Sequence, residues 1–143
     1  MNAEKYTRKS LEAIQSAQEI ALAHNNQQIE QVHLLLALLR QDGGLIPQLV
    51  RQMGVSVESL DAAVNAEVEK LPQVTGSGRE AGKYYIARSV DNVFTEAEKI
   101  AASMKDEFVS VEHVFLALFE AGDATVRRLF DTYNLKREAC MQT

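Results

Sequence analysis

The two halves of this sequence carry the same pattern of residues at a constant separation, and this repeat constrains the fold more than any single motif. A shift of 80 positions aligns the halves without a gap, so that His33 falls on His113. Further identical pairs are Ala17 and Ala97, Ile20 and Ile100, Ala21 and Ala101, Leu36 and Leu116, Leu38 and Leu118, and Leu49 and Leu129. Similarity at a fixed period indicates tandem structural units that pack against each other.

Each half contains four segments with helical periodicity, and strand-like alternation is almost absent. Thr7 and Ser56 are residue types that cap helix N-termini, as is Ser110 in the second half. Gly54 is suited to a left-handed helix end, and Asn134, its equivalent, also tolerates that backbone. The sequence therefore predicts an all-α fold: a pseudo-twofold tandem of two four-helix repeats, with about eight helices.

The stretch between the halves, "VTGSGREAGKYY" at 74–85, resembles a phosphate-binding loop only in composition. In a Walker loop with Gly82 as its closing glycine, Ser77 would have to be the opening glycine, and Tyr84 replaces the hydroxyl residue that holds Mg²⁺. Glycine and serine give a chain reach without order. We therefore predict a first repeat at 1–71, a Gly/Ser-rich connector at 72–84 and a second repeat at 85–143.

Composition excludes several function classes. A formal net charge of −5 disfavours nucleic-acid binding, which needs a basic surface. No apolar run approaches the ~20 residues that span a bilayer, so we predict no membrane partner. The segment after Met1 is amphipathic and unlike a secretory signal, and Cys140 is the single cysteine. Both features fit a reducing compartment, and we expect a cytoplasmic protein.

No catalytic or metal-binding set can be assembled from the sequence. His33 and His113 start equivalent helices, but the third histidine, His24, does not complete a metal-ligand spacing. We therefore interpret the repeated histidines as structural residues that bond neighbouring backbone. Cys140 has no histidine partner in the sequence, so a nucleophile is not indicated. The chain is predicted not to be an enzyme.

One loop, "DEFVSVE" at 106–112, places acids around an aromatic residue directly before a helix. It fits a capping arrangement with Phe108 as a core plug, and it equally fits a binding loop. Val90 and Phe94 belong to an apolar helix stripe that is core by default. They would also floor a groove between the repeats, and a groove with an acidic rim would accept apolar peptides.

A pair of equivalent motifs, one from each repeat, carries a family resemblance: "IEQVHLLLALL" and "FVSVEHVFLALF", with "LPQVTGSG" between them. From about Tyr6 to about Glu138, the chain resembles the Clp amino-terminal domain, a tandem of two Clp repeats at the front of AAA+ unfoldases. "LPQV-x-G-x-G" and "DEFVSVEH" are most similar to the ClpB-type disaggregase branch. The resemblance implies an eight-helix domain that captures unfolded or aggregated polypeptides and passes them to a hexameric ATPase ring.

The resemblance also assigns residues. A threonine at the start of the first helix and two acids near the sixth matter for substrate handling in the ClpB-type domains, and these match Thr7, Asp106 and Glu112. In the ClpC-type domains, the glutamate before each repeat's histidine helps to receive phosphoarginine. The second repeat keeps it as Glu112, whereas the first has Val32.

The family context implies that the chain is the front part of a longer protein, since no ATPase motif is present and "YNLKREACMQT" ends part-way through the expected eighth helix. We expect no cofactor in this part, with ATP and Mg²⁺ bound by the missing AAA+ modules. We expect a monomeric fragment of a homohexamer. Two alternatives stay open: an adaptor-docking domain of a proteolytic Clp unfoldase (ClpA or ClpC type) that binds a small adaptor protein, and a stand-alone Clp-repeat protein.

Overall fold

A computed structural model describes residues 1–74 and 85–142. Within these ranges it contains eight α-helices, which confirms the all-α prediction. The first four are α1 (Arg8–Ala23), α2 (Gln31–Leu39), α3 (Leu45–Gln52) and α4 (Val57–Glu69), preceded by a 3₁₀ turn at Ala3–Lys5. The second four are α5 (Arg88–Ser103), α6 (Val111–Ala121), α7 (Ala124–Thr132) and α8 (Arg137–Gln142). Residues 75–84 of the predicted connector lie outside the described residues, and the repeat bounds stay a prediction.

The predicted helix boundaries rest on local chemistry that the structure shows directly. The Thr7 hydroxyl accepts a hydrogen bond from the Ser10 N–H at 3.2 Å, and Ser56 does the same for Ser59 at 3.2 Å. Such bonds satisfy N–H groups that have no partner inside the helix. At the ends of α3 and α7, Gly54 has φ +81° and Asn134 has φ +56°, so both predicted left-handed helix ends are confirmed.

The core is centred on α2 and α6, the equivalent second helices of the two repeats. All nine residues of α2 are buried, and α6 is buried from Val111 to Leu118 except at Glu112. A helix that is apolar on every side must be covered on every side. The remaining helices provide this cover, and their buried residues join both repeats into one hydrophobic cluster.

The segments that lead into the two repeats are exchanged between them. The Thr7 N–H donates to the Val109 carbonyl oxygen at 3.0 Å, and the Val109 N–H donates to that of Lys5 at 2.8 Å. Eighty positions later, the Ala87 N–H donates to the Ile29 carbonyl oxygen at 3.0 Å. Each repeat is therefore entered through a hydrogen bond to a loop of the other.

At the loop of the first repeat, this exchange forms a small parallel sheet of β1 (Gln28–Ile29) and β2 (Tyr85–Ile86), the segment that leads into the second repeat. Its register pairs Gln28 with Tyr85 and Ile29 with Ile86. The sequence did not predict this sheet, because two residues are too few to show the period-two alternation of a strand.

Candidate functional site

Four of the six residues singled out in the sequence lie where the start of α1 meets the loop between α5 and α6. Thr7 precedes α1, Asp106 and Phe108 belong to the loop, and Glu112 lies in the first turn of α6. The hydrogen bond between the Thr7 N–H and the Val109 carbonyl oxygen joins these elements. We call the surface formed by Thr7, Asp106, Phe108 and Glu112 the α1–α6 junction.

The Thr7 hydroxyl serves the helix start rather than standing free. It accepts from the Ser10 N–H and donates to the Ser10 hydroxyl oxygen at 2.9 Å. The buried Ser10 hydroxyl in turn donates to the Val109 carbonyl oxygen at 3.0 Å. Thr7 therefore caps α1 and is linked through Ser10 to the loop.

The loop at 106–110 is hydrogen-bonded to a buried histidine. His113 is 3% exposed, and its Nδ1 accepts a hydrogen bond from the Ser110 N–H at 2.9 Å. Because Nδ1 is an acceptor, the neutral ring carries its proton on Nε2. That Nε2–H donates to the Asp106 Oδ2 at 2.7 Å. One imidazole thus bonds both ends of the loop at 106–110.

Phe108 projects from this loop and is 46% exposed, so the interpretation of Phe108 as a core plug is wrong. The adjacent Val109, at 4% exposure, fills the core instead. An aromatic ring on a loop bonded at both ends resembles the anchors found at protein interfaces. The loop therefore offers an ordered apolar contact to a partner.

Val90 and Phe94 are placed elsewhere, which corrects their prediction as groove residues. They are 1% and 3% exposed, and Phe94 packs edge-on against Tyr6 with ring centroids 6.0 Å apart. The exchanged segment that contains Tyr6 covers this part of α5. Neither side chain offers a surface to a peptide.

Between the repeats, the structure has a cavity of about 280 Å³ whose lining is polar and apolar in about equal parts. It is formed by Glu30, Val32, Glu67, Lys70, Leu71, Asp123 and Thr125. Glu67 is bound there by Arg128 of α7 at 3.0 Å. The cavity has two aliphatic side chains, Val32 and Leu71, in its lining, but none of the six residues predicted to bind a peptide lines it.

Both repeated histidines bond neighbouring backbone, which confirms their structural interpretation. His33 is fully buried, its Nδ1 accepts from the Glu30 N–H at 2.8 Å, and its Nε2 pairs with the Asn26 Oδ1 at 2.8 Å. Burial, assisted by nearby His24, lowers the pKa of His33 to about 4. Across the described part of the chain, no group of three histidine, cysteine or acidic residues could hold a metal ion.

Glu112 is half-buried near α8. Burial raises the pKa of the Cys140 thiol to about 11, the Glu112 charge adds to this effect, and Arg137 opposes it. A thiol with a raised pKa is a poor nucleophile at neutral pH. Within the junction, Glu112 is therefore the residue whose charge acts on the last helix.

Two buried polar residues escaped sequence reasoning. The Tyr6 hydroxyl donates to the Glu98 carboxylate at 2.7 Å, and burial, with this bond, raises the Tyr6 pKa above its usual value. Gln31 is fully buried and bonds three backbone groups of the second repeat. A comparison of the repeats offered one signal, because Gln31 occupies the position of apolar Val111.

Comparison with known proteins decides the family. The model of the Clp repeat (R) N-terminal domain matches residues 5–133. The chain belongs to this family. The resemblance stated from the sequence is therefore confirmed, and its two paired motifs lead into the central helices α2 and α6.

The relatives include ClpB chaperones. The chain is 38% identical over 144 residues to the chaperone protein ClpB of Bacillus cereus, covering 100% of this chain and 16% of that protein. The chain thus spans about one-sixth of the length of this relative.

Solved structures share the fold. The Hsp104 N-terminal domain from Candida albicans superimposes with a TM-score of 0.82 at 22% identity, covering 96% of this chain and 87% of that one. A complex of the ClpV N-domain with a VipB peptide has a TM-score of 0.70 at 16% identity, covering 94% and 81%. In the described residues, no helix is long and apolar enough to cross a membrane.

Proposed function

We propose that this domain binds apolar segments of unfolded or aggregated polypeptides at the α1–α6 junction, as the substrate-recognition domain of a ClpB-like disaggregase. The observation that carries the proposal is the exposed Phe108 ring on a loop that His113 bonds at both ends. A pre-ordered contact loses little conformational entropy when a partner binds.

The charge around Phe108 favours a particular kind of client. Glu107 is exposed and Glu112 is half-buried, so acids lie on both sides of the ring in sequence. Acidic rims raise the association rate of positively charged partners more than they raise affinity. An apolar segment with basic flanking residues is therefore the client that this surface fits best.

A single junction offers a small contact area, and small interfaces bind weakly. Weak binding suits a domain that must release its client to a translocating ring. We propose that the longer protein to which this domain belongs is a cytoplasmic homohexamer whose AAA+ modules bind ATP and Mg²⁺. Six copies of the domain would then compensate for weak single contacts through avidity.

One comparison supports binding of a peptide by this fold. The ClpV N-domain, which shares the fold, forms a complex with a VipB peptide. Because its identity to this chain is low, the likeness supports the shared fold and not the particular contacts. The residues that would contact a client here are therefore proposed from the junction itself.

The test compares two exposed apolar side chains on the same domain. Phe108→Ser removes the junction ring, whereas Leu22→Ser changes a side chain that is 40% exposed near the other end of α1. Binding to a fluorescently labelled, unfolded peptide with an apolar centre and lysine flanks is measured by fluorescence anisotropy. We expect Phe108→Ser to weaken binding about tenfold, as loss of an interface anchor does.

We expect Leu22→Ser to bind like the unchanged domain. Equal affinity of both variants and the unchanged domain would contradict the proposal. The proposal would also be contradicted if the domain bound one folded adaptor and did not bind unfolded chains.

A further inference from the structure

We propose that His113 is a positioning residue for client binding: through Asp106, it fixes the loop at 106–110 in the conformation that presents Phe108. This inference rests on the proposed function and adds a division of labour within the junction. Phe108 contacts the client, and the Asp106–His113 pair holds Phe108 in place.

The two partners of this hydrogen bond differ in exposure. His113 is 3% exposed, whereas the Asp106 side chain is 51% exposed. The Nε2–H of the buried ring donates to Oδ2 of this surface carboxylate at 2.7 Å. An exposed acid therefore accepts a partly buried hydrogen bond from a buried ring.

The second contact of the ring sets the length of the loop. The Ser110 N–H donates to His113 Nδ1 at 2.9 Å, and the Ser110 hydroxyl oxygen lies 3.1 Å from the same atom. Residues 106 and 110 are therefore held by one rigid imidazole. Phe108 lies midway between them, so its direction depends on both bonds.

The first repeat contains a natural control for this arrangement. Asn26 is the equivalent of Asp106, and its Oδ1 pairs with Nε2 of His33 at 2.8 Å. The Glu30 N–H donates to Nδ1 of His33, as Ser110 does to His113. A neutral amide oxygen thus holds the ring as a carboxylate oxygen does.

This equivalence makes the positioning role separable from charge recognition. Asp106→Asn keeps an acceptor for the His113 Nε2–H and removes the negative charge. Asp106→Ala removes both and leaves a buried donor without its protein partner. Asn26→Ala breaks the matching bond in the first repeat, away from Phe108.

The experiment measures the affinity of these variants for the same apolar, lysine-flanked peptide and their thermal unfolding. We expect Asp106→Ala to bind about tenfold more weakly, because the loop that presents Phe108 loses the hydrogen bond that fixes one of its ends. Asp106→Asn should recover the affinity to within about threefold of the unchanged domain, because an exposed charge contributes little. Asn26→Ala should lower the melting temperature as Asp106→Ala does, without weakening binding.

A double variant tests whether Asp106 acts through the aromatic ring. In the Phe108→Ser background, Asp106→Ala should have little further effect on affinity, since residues that act as one unit are not additive. A purely structural role would lower stability in both backgrounds without this dependence.

Three results would overturn the inference: Asp106→Asn as weak as Asp106→Ala, Asn26→Ala as weak as Asp106→Ala, or no loss in Asp106→Ala. Each leaves the effect of Phe108→Ser intact. If Phe108→Ser itself binds normally, the proposed function fails instead, so the two failures are distinguishable.

Discussion

The loops that precede α2 and α6 occupy equivalent places in the two repeats but present different surfaces. Each is bonded to a buried histidine in the same way. The side chains differ at every position of the junction, and three of the four equivalent residues are buried. Thr7, Asp106, Phe108 and Glu112 correspond to Ala87, Asn26, Gln28 and Val32.

The loop of the first repeat is closed on itself and on the chain that follows α4. The Gln28 amide donates to the Glu30 carboxylate at 2.6 Å, and the Asn26 amide donates to the Pro72 carbonyl oxygen at 3.2 Å. The Val74 N–H also donates to the Asn25 carbonyl oxygen, at 2.7 Å. The repeats therefore share the bonds that hold the loop to its histidine. In the described residues, the junction that forms the candidate site lies at the second repeat's loop alone.

A second difference lies at the start of the two central helices. Gln31 of α2 donates to the carbonyl oxygens of Ser89 and Ala121 at 2.9 and 3.0 Å and accepts from the Asp123 N–H at 2.8 Å. Its equivalent in α6 is Val111, which makes no such bonds. The first repeat therefore supplies the polar link that ties it to the second.

The largest expected effect comes from removing this link. Gln31→Val copies the second repeat and leaves three backbone groups without their side-chain partner. We expect the free energy of unfolding to fall by about 2–4 kcal/mol, since buried groups that lose a hydrogen bond are costly. Urea unfolding followed by circular dichroism measures this loss.

Gln48→Val is the matched control, because it is the same substitution at a residue that is exposed on α3. It should cost less than about 1 kcal/mol. If Gln31→Val matches this control, the polar difference between the repeats has no energetic meaning.

The next effect is the loss of stability at low pH that comes from His33. The pKa of His33 is lowered from 6.5 to about 4 by burial, so the unfolded chain takes up a proton that the folded chain refuses. The contribution of His33 to stability is complete above pH 6.5 and is lost as the pH falls toward 4. We expect a His33→Gln variant to lose stability less steeply across this window.

The measurement is the free energy of unfolding at a series of pH values for both proteins. Only the slope is compared, because His33→Gln also changes packing. Parallel curves would show that His33 does not titrate between its folded and unfolded values.

The smallest effect concerns the helix ends that distinguish Gly54 from Asn134. Asn134→Gly copies the first repeat at a residue with φ +56°, and we expect stability to change by less than about 0.5 kcal/mol. Asn134→Val should cost about 1–2 kcal/mol, because a branched side chain resists left-handed backbone. Equal melting temperatures for the two variants would contradict this explanation of the repeat difference.

Several features could be read from the sequence because they depend on neighbours in the chain. Helix caps such as Thr7 and Ser56, the left-handed ends at Gly54 and Asn134, and the helix-start role of the histidines all follow from contacts within a few residues. The repeat then doubled the evidence for each of them.

Other features depended on where the second repeat lies. From the sequence, Phe94 could belong to the core or to a groove, and Phe108 could be a core plug or a binding residue. The structure buries Phe94 against Tyr6 and exposes Phe108. Periodicity tells which side chains share a face of a helix but not which neighbour covers that face.

The sequence by itself thus determined the helices, their caps and their duplication, because these arise from local hydrogen bonding and a 3.6-residue period. Only the tertiary structure decided the exchange of lead-in segments, the polar link through Gln31 and the exposure of Phe108. These depend on contacts between residues up to about a hundred positions apart, such as that of Ser10 with Val109, which no local pattern encodes.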